Sequence, residues 1–110
     1  MIEKTVLEYL NSRLDVMARM EKDDNADRYV LIEKTGSSSD NFIYSTTLAI
    51  QSYAPSLYEA ALLNEQVKEV MSELPLLNEV TRCELNTDYN YTDPATKQYR
   101  YQAVFNITHY

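Results

Sequence analysis

Phe42 to Leu74, FIYSTTLAIQSYAPSLYEAALLNEQVKEVMSEL, is the stretch that most narrows what this chain can fold into. Its first part alternates. Phe42, Tyr44, Thr46, Leu48 and Ile50 point one way, while Ile43, Ser45, Thr47, Ala49 and Gln51 point the other. One bulky and one small, polar side is the pattern of a strand with one face on a core. Pro55 ends that strand. Ser56 and Glu59 have the Ser-x-x-Glu spacing of a capping box, so a helix starts there. Leu57, Ala60, Ala61, Leu63, Val67, Val70, Met71 and Leu74 then recur at helical spacing, and Pro75 stops the helix. A strand joined by a tight corner to an amphipathic helix calls for a sheet with a helix lying on it.

The flanks fill in that plan. Ile2, Val6, Leu10 and Leu14 recur every four residues, which predicts a first helix over Ile2–Leu14. Asp15–Met20 reads as a short edge strand. The acidic run Glu21–Asp27, EKDDNAD, reads as a solvated loop, and its spacing matches no calcium-binding loop. Arg28–Thr35 is a strand by its β-branched and aromatic content, with Tyr29-Val30-Leu31-Ile32 apolar at successive positions. Gly36-Ser37-Ser38-Ser39-Asp40 carries turn signals and is expected to join a hairpin. It lacks the spacing and the lysine of a phosphate-binding loop. Glu79–Leu85 reads as a strand, with Val80, Arg82 and Glu84 opposed to Thr81, Cys83 and Leu85. Asn86–Thr96 is turn-rich. Lys97–Tyr110 is the last strand, with Tyr99, Tyr101, Ala103, Phe105 and Ile107 on one face. The expected fold is a single α+β domain over 1–110: one antiparallel β-sheet with two helices packed on one face, in the order α-β-β-β-α-β-β.

No residue pattern calls for catalysis or a cofactor. A hydrolytic nucleophile needs a base near its serine or cysteine, and the only histidine, His109, stands next to the C-terminus, where a catalytic site is not expected. There is no Cys/His cluster for zinc. Cys83 is alone, so no intrachain disulfide forms, and its place in a strand suits a small buried hydrophobe. The net charge of −7 opposes a nucleic-acid-binding or anionic-membrane role. Asn90-Tyr91-Thr92 and Asn106-Ile107-Thr108 fit the N-glycosylation pattern, but with no signal peptide ahead of them they read as accidental. Ten of the twelve aromatic residues are tyrosines, suited to half-buried sheet faces and subunit contacts.

MIEKTVLEYL, DRYVLIEKTG, IQSYAPSLYEAALLNEQVKEVM, LNTDYNYTD and KQYRYQAVFNITHY, taken together and in this order, resemble the tail-completion proteins of long-tailed bacteriophages and prophages, a group of head–tail joining and tail-terminator proteins. The resemblance spans almost the whole chain. It implies a non-enzymatic structural protein without cofactor or metal. Such a protein forms a ring, typically a hexamer, that caps the head-proximal end of the tail tube and joins it to the head connector. The implied partners are further copies of the chain, a head-connector protein and a tail-tube protein, with DNA only as cargo through the lumen and no membrane. The implied setting is the bacterial host cytoplasm during assembly, then the virion neck. Subunit or partner contacts are expected at the two hairpin tips, Ser37, Ser38, Ser39 and Asp40 on one and Tyr89, Asn90, Tyr91 and Thr92 on the other. The competing expectation is a monomeric ligand-binding or adaptor domain with a pocket between sheet and helices, lined by Tyr44, Tyr58 and Tyr99.

Overall fold

The computed structural model describes residues 1–110. Its elements are helix α1 (Ile2–Arg13), strands β1 (Met17–Arg19), β2 (Tyr29–Asp40) and β3 (Ile43–Tyr53), helix α2 (Leu57–Ser72), a 3-10 turn (Leu74–Leu76), and strands β4 (Val80–Asn90) and β5 (Arg100–His109). This is the expected α-β-β-β-α-β-β order. The five strands form one sheet in the spatial order β1-β2-β3-β5-β4, and both helices lie on one of its faces.

One expectation about the sheet is corrected. β1 pairs with β2 in parallel, Met17 beside Tyr29 and Arg19 beside Leu31, so the sheet is mixed. The acidic loop between them does not make a tight turn. It carries the chain back to the level at which β1 began, and β2 then runs the same way as β1. All other pairings are antiparallel.

The core lies between the sheet and the helices. α1 contributes Ile2, Val6, Tyr9 and Leu10, and α2 contributes Leu63, Val67 and Met71. The sheet answers with Val30, Ile32, Leu48, Ile50, Val80, Ala103, Phe105 and Ile107. Each fully buried aliphatic side chain contributes about 1.5–3 kcal/mol, so this layer holds the domain together. The alternation of β3 is as expected from Thr46 to Ile50. Phe42 leaves it, because Phe42 lies in the β2–β3 turn and is 89% exposed.

The corner between sheet and helix forms as its sequence dictates. The Glu59 amide donates to Ser56 Oγ at 3.2 Å, and the Ser56 hydroxyl donates to the Glu59 carboxylate at 3.1 Å. The glutamate thus meets the serine side chain, where a full capping box meets its amide. α2 ends at Ser72, and Pro75 sits inside the following 3-10 turn. Leu57 and Val70 are less buried than their spacing suggests, whereas Asn64 is buried. The Asn64 side-chain amide donates to Asp88 of β4 at 2.8 Å, and Lys68 Nζ donates to the same carboxylate at 3.0 Å. These polar contacts clamp α2 onto β4.

β4 carries two bulges, between Val80 and Arg82 and between Leu85 and Thr87. The first corrects the simple alternation. It moves Val80 to the helix side with Cys83 and Leu85, away from Arg82 and Glu84, because one extra residue shifts the pleat by one position.

Candidate interaction surfaces

The two sets of expected contact residues lie at opposite ends of the sheet. Ser37–Asp40 pair with Thr46–Ile43, beside the C-terminal end of β5. Tyr89 and Asn90 pair with Gln102 and Tyr101, beside its start. The molecule measures 44 × 25 × 21 Å, so the two sets cannot form one patch.

At the first end the turn is not where the serines are. Ser37, Ser38, Ser39 and Asp40 belong to β2, in a regular ladder with β3. The reversal is made by Asn41 and Phe42 alone, with φ of 51° and 68°. Two left-handed residues are what a two-residue type I′ hairpin needs, and asparagine accepts that conformation readily. The serine run misled because small polar residues suit an exposed edge strand as well as a turn. Every residue from Glu33 to Ser45 is exposed. Phe42, Ile43 and Tyr44 therefore present apolar surface at this end.

Behind the hairpin lies a notch of about 560 Å³, lined by the start of α1, Lys34, Ser37, Tyr44, Thr46, Glu79 and His109. On its floor Thr46 Oγ1 and His109 Nε2 are 2.8 Å apart, and the Tyr44 ring stacks on His109 at 5.6 Å. An ion pair of 3.6 Å between Lys34 and Glu3 spans one side. Tyr44 is the only one of Tyr44, Tyr58 and Tyr99 in this notch. Tyr99 lines a separate cleft of about 250 Å³ with Asp23, Asp24 and Asp27, and Tyr58 is 73% exposed on α2. The three tyrosines expected to line one pocket do not converge.

At the second end the tyrosines are tied into the fold. The Gln51 amide donates to Gln102 Oε1 at 2.9 Å, and the Gln102 amide donates to the Tyr89 hydroxyl. The Tyr53 hydroxyl donates to Gln51 Oε1 at 2.9 Å and accepts from Arg100 Nη1 at 3.0 Å. Arg100 Nε donates to the Tyr91 carbonyl at 2.7 Å, and its guanidinium lies 4.5 Å from the centre of the Tyr91 ring. Asn90 Oδ1 accepts from both the amide and the hydroxyl of Thr92, at 3.0 and 2.7 Å. The result is a polar ladder running across β3, β5 and β4 on the face without helices. Strand alternation carries the signal for it: Tyr53, Gln51, Gln102 and Tyr89 all fall on the helix-free side.

The sheet has two different edges. On β2, β1 covers only Tyr29–Leu31. From Ile32 to Asp40 the backbone makes no backbone hydrogen bond outside its ladder with β3. The outer side of β4 is likewise free from Thr81 to Asn90. That edge carries the Arg82–Glu84 ion pair and two bulges, devices that discourage indiscriminate strand pairing.

Cys83 is partly buried against the core, and burial, with the Glu84 charge beside it, pushes its thiol up to about 11. No group of three or more His, Cys, Asp or Glu side chains is placed to hold a metal ion. No helix is long and apolar enough to cross a membrane. No protein-family model matches the chain, and no curated protein matches it.

Proposed function

We propose that this chain is a structural subunit of a ring, of the kind its resemblance to phage tail-completion proteins implies. The ring caps the head-proximal end of a tail tube and joins it to the head connector. The observation that supports this reading is the pair of unlike, unpaired sheet edges, β2 on one side and β4 on the other. A ring is built from heterologous contacts, in which one surface of a subunit meets a different surface of the next. A sheet with two unlike free edges supplies two such surfaces in one rigid body.

The net charge of −7 accords with DNA as cargo. An acidic lumen repels the phosphate backbone, so DNA slides through it without being held. In this reading the partners are other copies of the chain, the head-connector protein and the tail-tube protein. The protein works in the bacterial host cytoplasm during assembly and then in the virion neck.

Electron microscopy of particles assembled without this protein tests the proposal. Tails of abnormal length, or tails unattached to heads, are expected. Normal virions would overturn it.

A further inference from the structure

Phe42 buries almost nothing in the subunit that carries it. It holds a left-handed backbone at φ 68°, and its ring is 89% exposed. The second position of a type I′ turn favours glycine, and a bulky side chain there is strained. A strained residue kept in solvent points to a use outside the chain. β5 ends its ladder with His109 opposite Tyr44, so Asp40 to Ile43 stand beyond the rest of the sheet. Phe42 is therefore an aromatic knob at the tip of one end of the molecule.

A socket lies on the same end. The pairings put Ser37, Ser39, Tyr44, Thr46 and His109 on the side of the sheet that bears the helices, yet Ser37, Ser39 and Tyr44 are exposed. α1 starts beside them without covering them, and the gap is the notch of about 560 Å³. Ile2 and Tyr110 give it apolar lining, and Tyr44 stacked on His109 at 5.6 Å gives it an aromatic floor. Aromatic rings attract one another at centroid distances of about 4.5–7 Å, so another ring suits this floor. A cavity of about 150 Å³ already holds a benzene ring, so the notch has room for Phe42.

Knob and socket are unlike, unfilled and adjacent, Phe42 being two residues from Tyr44. A second copy, turned by a two-fold axis across this end, fills both at once. Each knob then enters the other's socket, the self-complementary arrangement of an isologous pair. A foreign partner with one apolar pocket would leave the notch open. The apex Asn41-Phe42-Ile43 is uncharged, so it brings no like charge to Glu3 or Glu79 on the notch walls. Asp40, at its base, makes no ion pair in its own subunit, and Lys34 lines the notch it approaches. An end 25 × 21 Å across gives each copy on the order of 500 Å² to bury, near the lower bound for a specific pair, so micromolar strength is expected.

We infer that the Asn41–Ile43 tip of one copy seats in the notch of a second copy, and the second copy's tip in the notch of the first, giving a two-fold, end-to-end dimer. The contact leaves both sheet edges free and does not depend on the ring reading.

Sedimentation equilibrium over about 1–200 μM tests it. The wild type is expected to dimerise. Phe42→Gly removes the knob and suits the turn, so the dimer should weaken at least about tenfold while the melting temperature holds or rises. Phe42→Leu keeps an apolar knob on the same turn and should retain most of the association. Ser37→Trp fills the socket from an exposed position and should weaken the dimer as Phe42→Gly does.

A wild type that stays monomeric over this range overturns the inference. So does a dimer that either Phe42→Gly or a folded Ser37→Trp leaves unchanged. If Ser37→Trp does not fold, Phe42→Leu decides: a loss equal to that of Phe42→Gly overturns an apolar contact. A fall in the melting temperature of Phe42→Gly also overturns it, because the ring would then pack on its own subunit. None of these outcomes touches the ring reading, which electron microscopy of particles decides separately.

Discussion

The rings of Tyr29 and Tyr53 lie face to face, 4.6 Å apart and within 2° of parallel, on β2 and β3. Both are almost fully buried, yet neither belongs to the core beneath the helices. They head the polar ladder on the helix-free face. The Tyr53 hydroxyl is its branch point, accepting from Arg100 and donating to Gln51.

Tyr53→Phe keeps the stack and removes that hydroxyl. Gln51 Oε1 and Arg100 Nη1 then each lose a partner in a largely buried setting. A loss of about 1–2 kcal/mol is expected, read from urea denaturation. An unchanged midpoint would show that water replaces the hydroxyl without cost.

Leu63 and Leu76 are the same residue type in opposite settings. Leu63 is fully buried between α2 and the sheet, while Leu76 is 72% exposed. Leu63→Ala should cost about 3 kcal/mol through lost burial and a residual cavity. Leu76→Ala should stay within about 0.5 kcal/mol. Equal effects in thermal unfolding would contradict the placement of α2.

Phe42 holds a left-handed backbone at φ 68° with its ring in solvent. Replacing it by glycine, which favours that turn position, should stabilise the isolated subunit by about 1 kcal/mol. A drop in melting temperature would mean that the ring packs on the subunit's own surface.

Cys83 makes stability depend on pH in the alkaline range. Its thiol has an ordinary value of 9.0 and sits at about 11 in the folded chain, raised first by burial and then by Glu84. Below pH 9 the thiol is neutral in both states and its contribution is fully present. Between about 9 and 11 the unfolded chain loses the proton first, so stability falls as pH rises. Tyr9 and Tyr29 are also raised, chiefly by burial, and add a further decline at higher pH. Denaturation of the wild type and of Cys83→Ser across this range should show a shallower decline in the variant. Parallel curves would rule out Cys83 as a contributor.

The outer hairpin shows why local reading stopped short. Gly36-Ser37-Ser38-Ser39-Asp40 has the composition of a turn, and only its pairing with Thr47–Ile43 makes it a strand. Asn64 is absent from the apolar stripe, because a buried asparagine becomes favourable only when Asp88, from a distant strand, accepts a hydrogen bond from its amide. The bulges at Thr81 and Asn86 leave no mark in composition, yet each shifts the alternation, so that Val80 and Asp88 join Cys83 and Leu85 on the helix side. Tyr89 and Tyr91 were legible as residues near a strand end. Their ties to Gln102 and Arg100 were not, since those residues lie beyond an intervening loop.

The chain by itself determined the number, order and type of its elements, the capped corner at Ser56 and Glu59, and most of the helix and strand faces that meet in the core. These follow from periodicities of 3.6 and 2, and from the stereochemistry of proline and serine, all carried within a few residues. Tertiary structure alone decided that β1 lies parallel to β2, that the two candidate contact sets occupy opposite ends, and that β2 and β4 are left as edges. Which strand lies beside which is settled by burial and pairing across the whole sheet. No short window of sequence records it.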